Sequence, residues 1–145
     1  MTKLSITINK DIQSVWDSVK DINSHVNWMQ DADTIELISG SQNEIGSKYM
    51  CKTKVGFLKT NDIFEIIKYS EPNLIEIYHT GNVSGLGYFK LNELDEDQTE
   101  FIWEEDLVFP LYMGSIIGKK IAMLILHRIW NKNLLNLKSS IENKA

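Results

Sequence analysis

Cysteine is almost missing from this chain. Cys51 stands alone among 145 residues, which excludes an intramolecular disulfide and a thiolate metal cluster. A chain built without disulfides suits a reducing compartment. Proline occurs twice, with Pro72 in a turn pattern and Pro110 between a strand pattern and a helical one. No internal repeat, low-complexity stretch or Pro/Gly-rich linker divides the sequence, so the expectation is a single domain over residues 1–145. Arginine is also scarce. Arg128 is the only one among 15 basic residues, the net charge is −5, and the lysines are scattered between acids. Surfaces that track phosphates need clustered Lys and Arg, so nucleic acid is not an expected partner. No apolar run approaches the ~18 residues of a spanning helix. The start, Met1 to Ser5, runs straight into strand-like alternation without a signal-peptide core, and the expected location is cytoplasmic.

The patterning that is present changes period twice. Leu4, Ile6 and Ile8 alternate with Ser5 and Thr7, which predicts a strand with one buried face. Asp11 is placed to cap a short helix carrying Ile12, Val15, Trp16 and Val19 at helical spacing. Asp21 or Asn23 begins a second short helix through His25 to Trp28 and Met29. The period then becomes two. Strands are expected around Ile35 and Leu37, along the segment with Lys48, Lys52 and Lys54 on one face, and over 58–69, 74–80, 83–94 and 99–109. Gly81-Asn82 and Asp95-Glu96-Asp97-Gln98 are turn signals between them. From about Met113 the pattern is helical almost to the end. The predicted order is β-α-α-β6-α, an α+β fold in which a long C-terminal helix covers the concave face of a seven-stranded antiparallel sheet.

Several phrases carry a family resemblance: the first strand running into Ile12-Gln13-Ser14-Val15-Trp16, Asp21 followed by Trp28, and Gly46 opening a hairpin strand. To these add Ile66-Ile67-Lys68-Tyr69-Ser70-Glu71-Pro72 and the closing run Asn133 to Glu142. As a set they resemble the START-like (SRPBCC) superfamily, which includes polyketide cyclase/dehydrase-type and Bet v 1-like proteins, over nearly the whole chain. The resemblance implies a helix-grip fold around a cavity for a lipid, polyketide or other hydrophobic ligand. It implies no reaction, since a fold does not settle function.

Strand alternation selects the side chains that face inward. Lysines fix the outer face of one strand, so Tyr49, Cys51 and Thr53 point in, as do Ile75, Ile77 and His79, then Phe89 and Leu91. On the last strand Phe101, Trp103, Leu107 and Phe109 point in and bring Glu105 with them; Asp62 joins by the weaker alternation of Phe64 and Ile66. On the long helix Ile116, Met123, Trp130, Leu134, Leu137 and Ile141 form one stripe, with His127 beside it. The expected ligand-binding set is Tyr49, Thr53, His79, Phe89, Trp103, Glu105, Met123, His127 and Trp130. Each has a plain alternative. His79 and His127 also read as hydrogen-bonded core or rim residues, Glu105 as a group reaching solvent at the sheet's open end, and Asp62 as structural.

No Gly-rich phosphate loop, zincin motif, nucleophile elbow or calcium loop is present, and Gly85-Leu86-Gly87 reads as a strand with a bulge or close backbone approach. Neither a cofactor nor a metal is expected. Three functions remain open: a carrier or sensor of a hydrophobic small molecule, an acid–base cyclase or dehydratase using His79, His127 or Glu105 with Tyr49 as donor, and a protein-partner domain. A second apolar set on the long helix, Ile117, Ile121, Leu124, Ile125 and Ile129, fits internal packing, a homodimer seam, or transient contact with a membrane.

Overall fold

The computed structural model describes residues 2–55, 58–108 and 116–144, with the side chains of residues 58 and 116–119 outside that description. β1 (Thr2–Ile8) lies antiparallel to β7 (Gln98–Val108), and the register sets Leu4 opposite Trp103 and Ile6 opposite Phe101. The apolar half of β1 is thereby placed on the face that carries the aromatic residues of β7. Asp11 caps α1 (Ile12–Val19): its carboxylate accepts from the Ser14 amide at 3.0 Å and the Ser14 hydroxyl at 2.6 Å. Those bonds hold the Asp11 carboxyl below its ordinary range. Val15, Trp16 and Val19, spaced for one helical face, are buried.

The second short helix is a 3-10 helix, Ile22–Asn27, and Asp21 makes no side-chain cap to it. Six residues without a cap are too few to propagate an α-helix, and the tighter winding is common for such pieces. Six strands follow as a meander: β2 (Ala32–Ser39), β3 (Lys48–Val55), β4 (Leu58–Ser70), β5 (Leu74–Gly81), β6 (Ser84–Asp95) and β7. The sheet order is β1-β7-β6-β5-β4-β3-β2, all antiparallel, which gives the seven-stranded curved sheet that the alternation predicts.

The closing helix, α2 (Ile116–Glu142), lies on the concave side. Its second half is anchored by buried Trp130, Leu134, Leu137 and Ile141, four members of the predicted stripe. Asn133 is fully buried with them, accepting from the Gln30 amide at 2.8 Å and donating to Asp31 at 2.8 Å. An inward Asn133 turns the stripe toward Leu126 and Ala122. His127, on the other side of the stripe, is consequently exposed, while Met123 within the stripe is half-buried. Phe109, Ile116 and Ile117 fall outside the described side chains.

His25 is a buried neutral imidazole whose Nε2 lies 2.7 Å from the Val19 carbonyl oxygen, with its ring 5.2 Å from those of Trp28 and Phe89. Burial pushes its pKa down to about 4, against the opposing pull of the Val19 carbonyl and Asp21. Below pH ~6.5 the unfolded imidazole takes up a proton that the folded one refuses. The contribution is therefore complete above pH ~6.5 and lost as pH falls toward 4, by about 3 kcal/mol. Asp62, whose carboxyl is raised by burial, acts with the opposite sign. Urea midpoints at pH 7 and 4.5 are expected to differ much less in His25→Gln than in the parent protein; equal differences would assign the acid sensitivity elsewhere.

Candidate functional site

The concave face of the sheet and the described residues in the first half of α2 enclose a space. Between them lies a partly open cavity of about 520 Å³. Its wall is mainly apolar: Ile35, Phe64, Ile75, Ile77, Phe89 and Trp103 from the strands, and Ala122, Leu126 and Trp130 from α2. Phe89 and Trp103 pack ring against ring at 5.5 Å, and Trp103 meets Trp130 at 5.2 Å, so the aromatic floor is continuous from sheet to helix.

The main polar cluster of the wall is built on β4, β5 and β7, apart from His25, Asp31 and Thr53. His79 Nε2 lies 3.0 Å from Glu105 Oε2, and the Trp103 indole N–H donates to Glu105 Oε1 at 2.9 Å. The edge of Phe64 abuts the His79 ring, with centroids 4.5 Å apart. Asp62 accepts from the Val83 amide at 3.2 Å and the Thr60 hydroxyl at 3.4 Å. Asp62, His79 and Glu105 are 7%, 8% and 7% exposed, and all three line the cavity.

A glycine lies beside each carboxylate in the neighbouring strand. Gly87 pairs with Glu105 across β6 and β7, and a Cβ there would collide with the Glu105 carboxylate. Gly81 pairs with Asp62 across β4 and β5, at φ +127°, and a Cβ would stand 2.9 Å from Asp62 Oδ1. The missing side chains give the two carboxylates room to lie along the sheet. Gly87 is thus the close approach that Gly85-Leu86-Gly87 suggests, and at Gly85, with φ +136°, a Cβ would collide with the Asp106 carbonyl.

Burial raises the Asp62 carboxyl and pushes the Cys51 thiol up to about 11, so Cys51, though on the wall, is no thiolate nucleophile near neutrality. Among the described residues no Lys or Arg lines the cavity, and no group of three or more His, Cys, Asp or Glu is arranged to hold a metal ion. What the arrangement offers is an imidazole fixed by a carboxylate, a second carboxylate, and an apolar hollow. Such a set orients a polar head and moves protons.

Of the side chains expected to meet a ligand, Thr53, His79, Phe89, Trp103, Glu105 and Trp130 come together on the wall, with Asp62 beside them. Three do not. Tyr49 is buried, but its hydroxyl accepts from the Asn43 amide at 3.4 Å and donates to Gln42 at 3.3 Å, held by the loop before β3. Met123 packs half-buried against the core without reaching the wall, and His127 faces outward, because Asn133 draws the buried face of the helix away from it. Alternation alone overlooks Asp31, which lines the cavity while accepting from the Trp130 indole at 3.4 Å and from Asn133. Ala122 and Leu126 also line it, and counting back in fours from Trp130 finds both.

No protein-family model matches the sequence, and no curated protein sequence does. Solved structures do match in fold. The ZhuI aromatase/cyclase from a Streptomyces species superposes with a TM-score of 0.77 at 12% identity, over 97% of this chain and 92% of its own. A conserved protein from Geobacillus kaustophilus gives 0.75 at 15%, over 96% and 93%. The di-domain aromatase/cyclase StfQ of the steffimycin biosynthetic pathway gives 0.72 at 10%, over 98% of this chain and 44% of that one. At these identities the likeness is one of fold, the helix-grip architecture.

If Gly87 makes the space in which Glu105 lies, Gly87→Ala drives the carboxylate off His79. The imidazole resonances of His79 are then expected to move as far as they do in Glu105→Ala. An unchanged His79 spectrum in Gly87→Ala would show that the carboxylate does not rest there.

Proposed function

We propose that this chain binds a hydrophobic small molecule in the cavity between sheet and α2, as a carrier or sensor. The observation that carries the reading is the hollow itself: about 520 Å³, within the ordinary range of ligand sites, apolar over most of its wall and polar mainly at one cluster. An interior able to close on itself would have packed Trp103, Trp130 and Phe89 into the space. The apolar wall supplies most of the affinity through surface removed from water, and Asp62, His79 and Glu105 give the ligand one orientation. A location inside the cell belongs with this reading, which needs no spanning segment. Among the described residues no helix is long and apolar enough to cross a membrane.

A second reading rests on the His79–Glu105 pair. A carboxylate that holds an imidazole in one orientation beside a bound molecule is the arrangement of a general acid–base pair. His79 would shuttle the proton, Glu105 would stabilise the imidazolium, and the wall would hold a flexible substrate folded for cyclisation or dehydration. Tyr49 has no part in it, since its hydroxyl is held by Gln42 and Asn43.

Nile red is expected to brighten in the parent protein. Ala122→Trp, which fills the cavity from the helix side, should weaken it at least about tenfold, or 1.4 kcal/mol, without lowering the unfolding midpoint. Absence of binding in the parent protein would remove the carrier reading. Native mass spectrometry of protein loaded from a cell extract separates the two readings. A carrier returns the same ligand mass from the parent and from His79→Leu. An enzyme returns product from the parent and an unconverted molecule from the variant, heavier by a water for a dehydratase and, for a cyclase that only closes a ring, of equal mass but distinct in the chromatographic retention of the released ligand.

A further inference from the structure

Ile121, Leu124 and Ile125 are 55%, 67% and 46% exposed on two successive turns of α2. At 100° per residue they share a face with Arg128, Lys132 and Leu135, and Leu135 is 54% exposed. The opposite face carries Ala122, Leu126, Trp130 and Asn133 against the cavity and sheet. Ile121 and Ile125 are both exposed and part of the cavity wall, so the apolar patch is continuous with the cavity's mouth.

The charge on this element opposes that of the rest. The 27 residues of α2 hold five basic side chains and one acid, Glu142, a net +4 in a chain of −5. The remainder of the chain therefore carries −9. Lys120, Arg128 and Lys132 are exposed, and no acid stands near them along the helix. Aliphatic residues flanked by cations fit a surface that is anionic outside and apolar within. A two-fold dimer through the same face would bring the cations Lys120, Arg128 and Lys132 of one copy against the same set on the other, with no acid from this stretch of the helix between them.

We propose that this face of α2 rests on an anionic phospholipid bilayer. Ile121, Leu124 and Ile125 enter the boundary of the acyl region, and Lys120, Arg128 and Lys132 lie at the level of the phosphates. The strongly acidic remainder is repelled by the same surface, which leaves one orientation of approach. In that orientation the cavity's mouth faces the bilayer, and an apolar molecule passes between the two without crossing water.

The test uses the whole 145-residue protein in co-sedimentation with vesicles of phosphatidylcholine alone or mixed equally with phosphatidylglycerol. Binding is expected to the anionic vesicles only, and to fall about tenfold when the ionic strength rises from ~0.1 M to ~0.5 M. The double variant Arg128→Glu, Lys132→Glu should lose about tenfold or more. Leu124→Gln, which changes no charge, should lose binding as well, which a purely electrostatic contact would not do. None of these three positions is on the cavity wall, so Nile red binding without vesicles is expected to remain and confirms folding. Equal partition onto both vesicle types, or none onto either, would overturn the proposal. So would a concentration-dependent dimer, seen by light scattering, that Leu124→Gln dissolves.

Discussion

Among the described residues, the polar ties that fix α2 lie in its second half, and the cavity lies beside its first half. Asn133 takes the Gln30 amide and gives to Asp31, and the Trp130 indole gives to the same carboxylate. A fully buried amide that satisfies both its donor and its acceptor admits one helix phase, since any rotation would leave polar groups unpaired at a cost of about 1–3 kcal/mol each. Leu134, Leu137 and Ile141 then close the core beneath the second half. Toward its N-terminus the helix presents Leu126 and the small Ala122, and neither fills the gap to the sheet.

The groups inside that gap bear on each other. A buried carboxylate costs several kcal/mol unless it is bonded, and each one here is: Glu105 by His79 and the Trp103 indole, Asp62 by Val83 and Thr60. Both depend on a glycine in the adjacent strand that leaves room for the carboxylate to lie flat. The polar cluster is thus a property of strand register, in which residues far apart in sequence oppose each other. One slip of register would turn His79 and Glu105 out to solvent.

Much of this was legible in the sequence, for a physical reason. A sheet with one wet face writes its register into every second residue, so the lysines at 48, 52 and 54 alone place Cys51 and Thr53 inside, and Phe101 and Trp103 carry Glu105 in with them. The meander and the long helix follow from the same change of period. A helix is less explicit. Its stripe is broad, and a polar Asn133 on the buried side gives no hydropathy signal, so the expected face was set too far toward His127 and missed Ala122 and Leu126 on its other side. The partner that corrects it, Asp31, is about a hundred positions away and visible only in three dimensions. Tyr49 shows the same limit on a smaller scale. Alternation says that it is buried but not that a loop claims its hydroxyl.

Cys51 has a consequence beyond packing. With its pKa pushed up to about 11, roughly one molecule in ten thousand carries the thiolate at neutral pH. The one thiol in the chain, although it borders the hollow, is therefore a slow nucleophile. An electrophile lodged against it would meet a thiol that seldom ionises, so alkylation there is slow at neutral pH.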